Sequence, residues 1–229
     1  MIQVFTCLTG NSAPYAENLR ENLSTERRLI KFSAIADHTF QGKTTWDIKE
    51  VVPRIYPNGA ANHGQMLNRI TKHIDDDAKI IIIADVDIMV ICKLWDEYID
   101  YILSKHGAII SPKFSGASGP FFCVFPSWLY KAVSPDWMPG SKENGYLTET
   151  DQIDTGWRLE HEFKKYNPLY LKYADRLRDG SNLNYMYYIE DPIFKHDEPF
   201  MSHMGGSNKH NFESEKAQNW INAIKNFDL

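Results

Sequence analysis

Residues Lys79–Val90 read KIIIIADVDIMV, and this stretch decides the fold. An unbroken Ile-rich run entered from the polar turn Asp75-Asp76-Asp77 has the length and composition of a central strand buried on both faces. Two carboxylates, Asp85 and Asp87, then stand where the run should leave the core. In open α/β sheets ligands bind outside the carboxyl ends of the strands, so the pair falls where a site is expected. On an extended chain alternate side chains point the same way, and two carboxylates so aligned suit one hard divalent cation. A strand ending in Asp also serves as a turn or helix cap, and Asp-x-Asp recurs by chance, so both readings stand at this point.

Composition narrows the class. With 229 residues, 43% hydrophobic and 24% charged, the chain can bury one full α/β core. Its 12 Tyr, 12 Phe and six Trp offer flat surfaces for a base or a sugar, although core packing accounts for most such rings. A net charge of -5 disfavours a phosphate-backbone binder, so no nucleic-acid scaffold is expected, while a single nucleotide can still bind locally. Cys7, Cys92 and Cys123 are odd in number, far apart and in apolar contexts. They predict reduced core residues and a cytoplasmic setting rather than disulfides or a zinc site. Met1-Ile2-Gln3-Val4-Phe5 opens as a strand without a basic region and cleavage site, and no apolar run approaches a membrane span.

Taken in order, residues 2–8 predict a first strand, and Thr9-Gly10-Asn11-Ser12 break it before a helix over Ala13–Leu23, with Ser12 as N-cap and Pro14 in the first turn. Strand, polar turn, helix is how a nucleotide-binding α/β unit opens, though G-x-G-x-x-G is missing. A second strand over Ile30–Ala36 ends in Asp37, which suits a turn or an acceptor for a base or ribose donor. Residues 38–60 read as irregular, broken by Gly42, Pro53, Pro57 and Gly59. Met66, Leu67, Ile70 and Ile74 then share one helical face, and Trp95, Tyr98, Ile99 and Ile102 form the stripe of a helix over Leu94–Leu103. A strand over Gly107–Ser111, a Gly/Ser loop, an apolar strand and a helix begun at Pro126-Ser127 follow. Residues 134–147 have the composition of a lid or acceptor platform. Glu149, Asp151 and Asp154 crowd a helix start, where Thr148 and Asp151 form a capping-box pattern that leaves Asp154 unexplained. Residues 166–200 are aromatic and poorly periodic, read as late strands, and Ala217, Trp220, Ile221 and Ile224 mark a closing helix.

In this setting KIIIIADVDIMV resembles the DxD strand of GT-A glycosyltransferases, and TCLTGNSAPY resembles their first strand and nucleoside loop. The resemblance implies an α/β fold of GT-A type, a Rossmann-like mixed central sheet flanked by helices. It implies one domain over 1–229, with 1–111 as the nucleotide-sugar half and 112–229 as the acceptor half. Nucleotide-binding roles fall on Thr6, Thr9, Gly10, Tyr15, Asp37 and Asp85, with a surface helix position as the other reading of Tyr15. N-x-G-x-x-L-N ahead of the DxD is similar to the inverting GT-A group and makes His63 and Asn68 donor-side candidates, against a plain capping or surface role. DTGWRL resembles the helix start that carries that group's acceptor base, here Asp154. Asp151-Gln152 is similar to the Asp-Gln pair of the glycogenin-like group. The two likenesses imply different stereochemistry.

His203-Met204-Gly205-Gly206-Ser207-Asn208-Lys209 has the glycogenin-like form H-x-x-G-x-x-K, although His210 and Asn211 stand where that family has Pro-Trp. By this likeness His203 completes a site for Mn²⁺ or Mg²⁺ with Asp85 and Asp87. Gly205, Gly206 and Lys209 receive a diphosphate. The implied partners are a nucleoside-diphosphate sugar, most simply a UDP-hexose, and an acceptor hydroxyl on a glycan, protein, lipid or small molecule. Two alternatives use the same features. A sugar nucleotidyltransferase would carry a cation in the loop after the first strand, which TGNSAPY lacks. A non-catalytic nucleotide-sugar or carbohydrate-binding module would bind without metal-dependent turnover.

Overall fold

Alternation along Ile80–Ala84 sorts the core into two faces. In the computed structural model, which describes residues 1–56, 59–111, 113–114, 117–118, 121–140, 155–174, 185–189, 199–205 and 211–227, Ile80, Ile82 and Ala84 join one buried cluster and Ile81 and Ile83 the other. In chain order the elements are β1 (Ile2–Leu8), α1 (Ala13–Leu23), β2 (Ile30–Asp37), β3 (Asp47–Val52), α2 (Gly59–Leu67), a 3-10 turn (Ile70–His73), β4 (Ile80–Ala84), β5 (Ile88–Val90), α3 (Trp95–Lys105) and β6 (Ile109–Ile110). There follow β7 (Lys113–Phe114), β8 (Ala117–Ser118), β9 (Phe122–Pro126), α4 (Ser127–Val133), α5 (Leu159–Phe163), β10 (Leu169–Tyr170), β11 (Lys172–Ala174), β12 (Tyr185–Tyr188), β13 (Met201–His203) and α6 (Glu215–Lys225).

Among the described residues the main sheet has seven strands in the order β10-β6-β9-β4-β1-β2-β3, with β4 between parallel β1 and antiparallel β9. A smaller sheet, β11-β12-β13-β5, is antiparallel in the pairs that meet the site. This is the mixed α/β architecture expected. The expected buried stripes of α3 and α6 are all buried.

Four local readings need correction. Residues 38–60 are not wholly irregular, because Asp47–Val52 adds to β2 as a parallel edge strand with a register shift between Ala34 and Ile35. An edge strand needs only one apolar face and so leaves a weak pattern. Ser12 is the N-cap residue of α1, its carbonyl accepting from Ala16 N at 3.0 Å, but its hydroxyl caps no helical N–H; it accepts from the Thr9 N–H at 3.0 Å and closes the turn instead. The helix before β4 begins at Gly59, earlier than its apolar stripe, and gives way to a 3-10 turn after Asn68, with Met66, Leu67, Ile70 and Ile74 all buried. The Asp85-Val86-Asp87 step is a turn, not a continuing strand: β4 stops at Ala84 and the chain crosses into the smaller sheet as β5.

The opposite flank is tied by charge. Asp96 is fully buried at the start of α3, where Arg27 reaches Oδ1 at 2.5 Å and Arg28 reaches Oδ2 at 3.2 Å. Burial alone would raise its carboxyl, but the Arg27 hydrogen bonds and the charges of Arg27 and Arg28 outweigh it and hold Asp96 below its usual range. A carboxyl lowered in the folded state contributes stability above its unfolded pKa, about 3.9, and loses it as pH falls towards the folded value. Asp96→Asn is therefore expected to cost about 2 kcal/mol at neutral pH, a drop in Tm of roughly 4–8 °C. In thermal melts the gap between variant and wild type should close as the pH is lowered below about 4.

Candidate metal centre

Crossing from one sheet to the other builds the site. At the end of β4 the Thr6 hydroxyl donates to Ala84 O at 2.7 Å, and the Asp85 N–H donates to Phe121 O at 2.9 Å, extending the pairing with β9 by one residue. The turn at Val86-Asp87 then starts β5, whose antiparallel partner β13 sets His203 opposite Ile88. Met204 N donates to Asp87 O at 2.9 Å and closes the ladder. The buried Trp220 indole donates to Ser202 Oγ at 2.9 Å, docking α6 on β13.

Asp85, Asp87 and His203 thus converge, each offering one ligand atom, all within 4.8 Å of one another. Asp87 is only 4% exposed, whereas the Asp85 side chain is 28% exposed and faces solvent. His203 Nε2 lies 3.3 Å from Asp87 Oδ1, and the Phe121 ring stacks on the imidazole at 4.8 Å with 13° between planes. Burial would lower the His203 pKa, but the Asp87 hydrogen bond and the charges of Asp87 and Asp85 raise it overall. Two carboxylates beside a buried imidazole are a donor set short of positive charge. Two oxygens and one nitrogen fit Mn²⁺ or Mg²⁺ with further positions open to water and phosphate.

His63 on α2 is brought to the same place, its Nε2 3.5 Å from Asp85 Oδ1. Asp37 and Asp85 both act on Cys7, whose thiol is pushed up by burial first and then by these two charges. Asp37 is buried; its Oδ1 accepts from Thr39 N at 2.8 Å and Thr39 Oγ1 at 2.5 Å, while Oδ2 has no hydrogen-bond partner among the described residues. Gly10, at φ 47°, donates to Thr39 Oγ1 at 3.1 Å and accepts from Gln41 N at 2.7 Å, so the turns after β1 and β2 are stitched together beside Thr9. Gly205, at φ 68°, follows β13, and its carbonyl accepts from Lys216 Nζ at 3.5 Å.

Three expected contacts lie elsewhere. Tyr15 is 2% exposed, packed edge-on against Phe212 at 4.9 Å with its hydroxyl donating to Met204 Sδ at 4.0 Å. Burial and then the charge of Asp87 push it up to about 12. It is not a surface residue but a buried support behind Asp87. Thr6 is buried and its hydroxyl joins β1 to β4. Asn68 donates to Asp136 Oδ1 at 3.1 Å and accepts from Trp137 N at 2.8 Å, so its amide brackets a loop. Gly64 allows that approach: a Cβ there would stand 2.6 Å from Trp137 O. Asp151, Gln152, Asp154, Gly206 and Lys209 lie outside the described residues. Thr155 is buried, and its hydroxyl donates to Ala60 O at 2.9 Å at the start of α2. Sequence reasoning passed over Phe121 and Lys216, since a Phe before a strand and a Lys in a first helical turn carry no local signal of what they face.

No protein-family model and no curated protein sequence matches this chain. Solved structures do. An active-site mutant of LgtC, a galactosyltransferase, aligns over 98% of this chain and 95% of its own with a TM-score of 0.55 at 11% identity. Drosophila β-1,4-galactosyltransferase 7, in a mutant complexed with manganese, UDP-Gal and xylobiose, is 11% identical over 95% of this chain and 79% of that one, TM-score 0.47. The mannosyltransferase PcManGT from Pyrobaculum calidifontis, complexed with GDP-Man and Mn²⁺, is 16% identical over 58% of this chain and 46% of that one, TM-score 0.42. The likeness to LgtC, over nearly the whole of both chains, shows the fold as GT-A. Among the described residues no helix is long and apolar enough to cross a membrane.

If Asn68 is a bracket, Asn68→Ala leaves the Trp137 N–H and Asp136 without their partner and should cost about 1–2 kcal/mol. The denaturant midpoint is expected to fall with an unchanged m-value.

Proposed function

We propose that this GT-A-fold chain is a cytoplasmic, metal-dependent glycosyltransferase that moves a hexose from a nucleoside-diphosphate sugar, a UDP-hexose, to an acceptor hydroxyl on a glycan, protein, lipid or small molecule. The observation that carries the reading is the convergence of Asp85, Asp87 and His203 beyond the carboxyl end of β4. A divalent cation held by these three would supply Lewis-acid stabilisation of the departing diphosphate. Residues 1–111 would form the donor half and 112–229 the acceptor half of one domain.

The protein's own groups divide the remaining work. Thr9 and Gly10 line the nucleoside loop, and Asp37 Oδ2, a buried acceptor without a partner among the described residues, suits the imide N–H of a pyrimidine base. His63, beside Asp85, stands on the donor side. Gly205 and Gly206 let backbone N–H groups approach the diphosphate, and Lys209 adds charge where the leaving group develops it. Asp154 is assigned the base that takes the acceptor proton, with Asp151 second and Gln152 meeting the sugar.

The reading is tested by nucleoside diphosphate release from UDP-, GDP- and dTDP-sugars with Mn²⁺ and with EDTA. Release from a UDP-hexose with Mn²⁺, lost in EDTA and in a folded Asp87→Ala protein, is the expected result; full activity in Asp87→Ala overturns the metal assignment. Asp37→Asn keeps an acceptor for Thr39 but removes the charge, and the Kd for UDP should rise about tenfold by isothermal titration.

A further inference from the structure

Backbone pairing delivers His203 to the site but does not orient its ring. The register of β13 against β5 sets the His203 Cα opposite Ile88. The last torsion of a histidine joins sp³ to sp² carbon and has a broad, shallow preference, so neighbours must set the ring plane. One neighbour is Asp87 Oδ1, 3.3 Å from Nε2. That contact meets the ring at a single atom. Another neighbour is Phe121, whose ring lies face to face with the imidazole at 4.8 Å and 13°. This contact lies along the whole ring face and so sets the plane of the imidazole.

Phe121 is itself well held. It is 3% exposed, leans on the buried Tyr187 at 4.9 Å, and sits immediately before β9, the antiparallel neighbour of β4. Its carbonyl accepts the Asp85 N–H at 2.9 Å. One residue therefore touches two members of the ligand group, Asp85 through its backbone and His203 through its ring.

We propose that Phe121 is a positioning residue of the metal centre whose ring face locks the His203 imidazole towards the cation and so tunes the site for Mn²⁺ over Mg²⁺. This rests on the reading of Asp85, Asp87 and His203 as ligands. Mg²⁺ takes oxygen donors and draws little from an imidazole, so loosening the ring weakens Mn²⁺ binding and leaves Mg²⁺ binding nearly untouched. A residue that only fills space would weaken both alike.

The test is direct titration of the full chain with Mn²⁺ and with Mg²⁺, by calorimetry and by electron paramagnetic resonance of free Mn²⁺. Phe121→Leu, which keeps apolar bulk but removes the flat face, should raise the Mn²⁺ Kd about tenfold or more and leave that for Mg²⁺ within about threefold. Phe121→Tyr should restore wild-type binding, and Phe121→Leu should have no further effect on Mn²⁺ in a His203→Ala background. An unchanged Mn²⁺ to Mg²⁺ ratio in Phe121→Leu overturns the proposal while the ligand assignment stands. A wild-type chain that binds neither ion overturns the ligand assignment itself and the proposal with it. Should Phe121→Leu fail to fold, proton resonances of the wild-type His203 ring, assigned by their loss in His203→Ala, decide the matter. Stacking on Phe121 moves them upfield with and without Mg²⁺, and ordinary shifts overturn the proposal.

Discussion

Everything near the site depends on one step of backbone, the passage of the chain from the main sheet to the smaller one between Ala84 and Ile88. β4 is buried on both faces, so the polar groups at its end need partners once the ladder with β1 stops at Ile83. The Thr6 hydroxyl takes the Ala84 carbonyl and the Phe121 carbonyl takes the Asp85 N–H. With those groups satisfied the chain can turn, and the turn holds Asp85 towards solvent and Asp87 inward. The partner that β5 then finds, β13, brings in His203. The candidate metal centre thus arises where the chain passes from one sheet to the other.

Two buried acids show the difference between a tie and a site. Asp96 meets Arg27 and Arg28, whose guanidinium charge does not depend on pH, and its carboxyl is lowered. Asp87 meets His203, whose charge depends on a proton, and the imidazole is raised in response. The first arrangement is complete as it stands and joins α3 to the segment before β2. The second gathers two carboxylates against a group whose charge is conditional, which is the electrostatic character expected of a site rather than of a brace.

Residues away from the ligands keep this arrangement in place. Tyr15 and Met204 fill the space behind Asp87, Phe212 closes on Tyr15, and Trp220 fixes β13 through Ser202. On the other side Asn68, Asp136 and Arg158 clasp α2, the helix that carries His63, with Arg158 2.9 Å from Asp136. These supports place Tyr15 inside the fold rather than on a helix surface. They also explain why the helix start at Gly59 precedes its apolar stripe. Ala60 and Gly64 face the Thr155 and Trp137 segments, and small residues there allow close approach without adding hydrophobic signal.

Much of the molecule was legible in local pattern. The Ile run named the central strand, the spacing of Trp95, Tyr98, Ile99 and Ile102 named α3, that of Ala217, Trp220, Ile221 and Ile224 named α6, and the order of motifs pointed to the GT-A fold. Each of these rests on periodicity or chain order, which a sequence carries in full. The edge strand Asp47–Val52, the turn at Asp85–Asp87 and the inward packing of Tyr15 did not show, because they depend on what lies across the sheet and not on neighbours in the chain. By itself, then, the sequence determined the fold class and the chemical types able to hold a cation. The motif likeness had joined His203 to Asp85 and Asp87; only the tertiary structure decided the geometry in which they meet and that Phe121 covers the imidazole, because contacts between residues far apart in the chain arise from strand pairing and packing that no local spacing encodes.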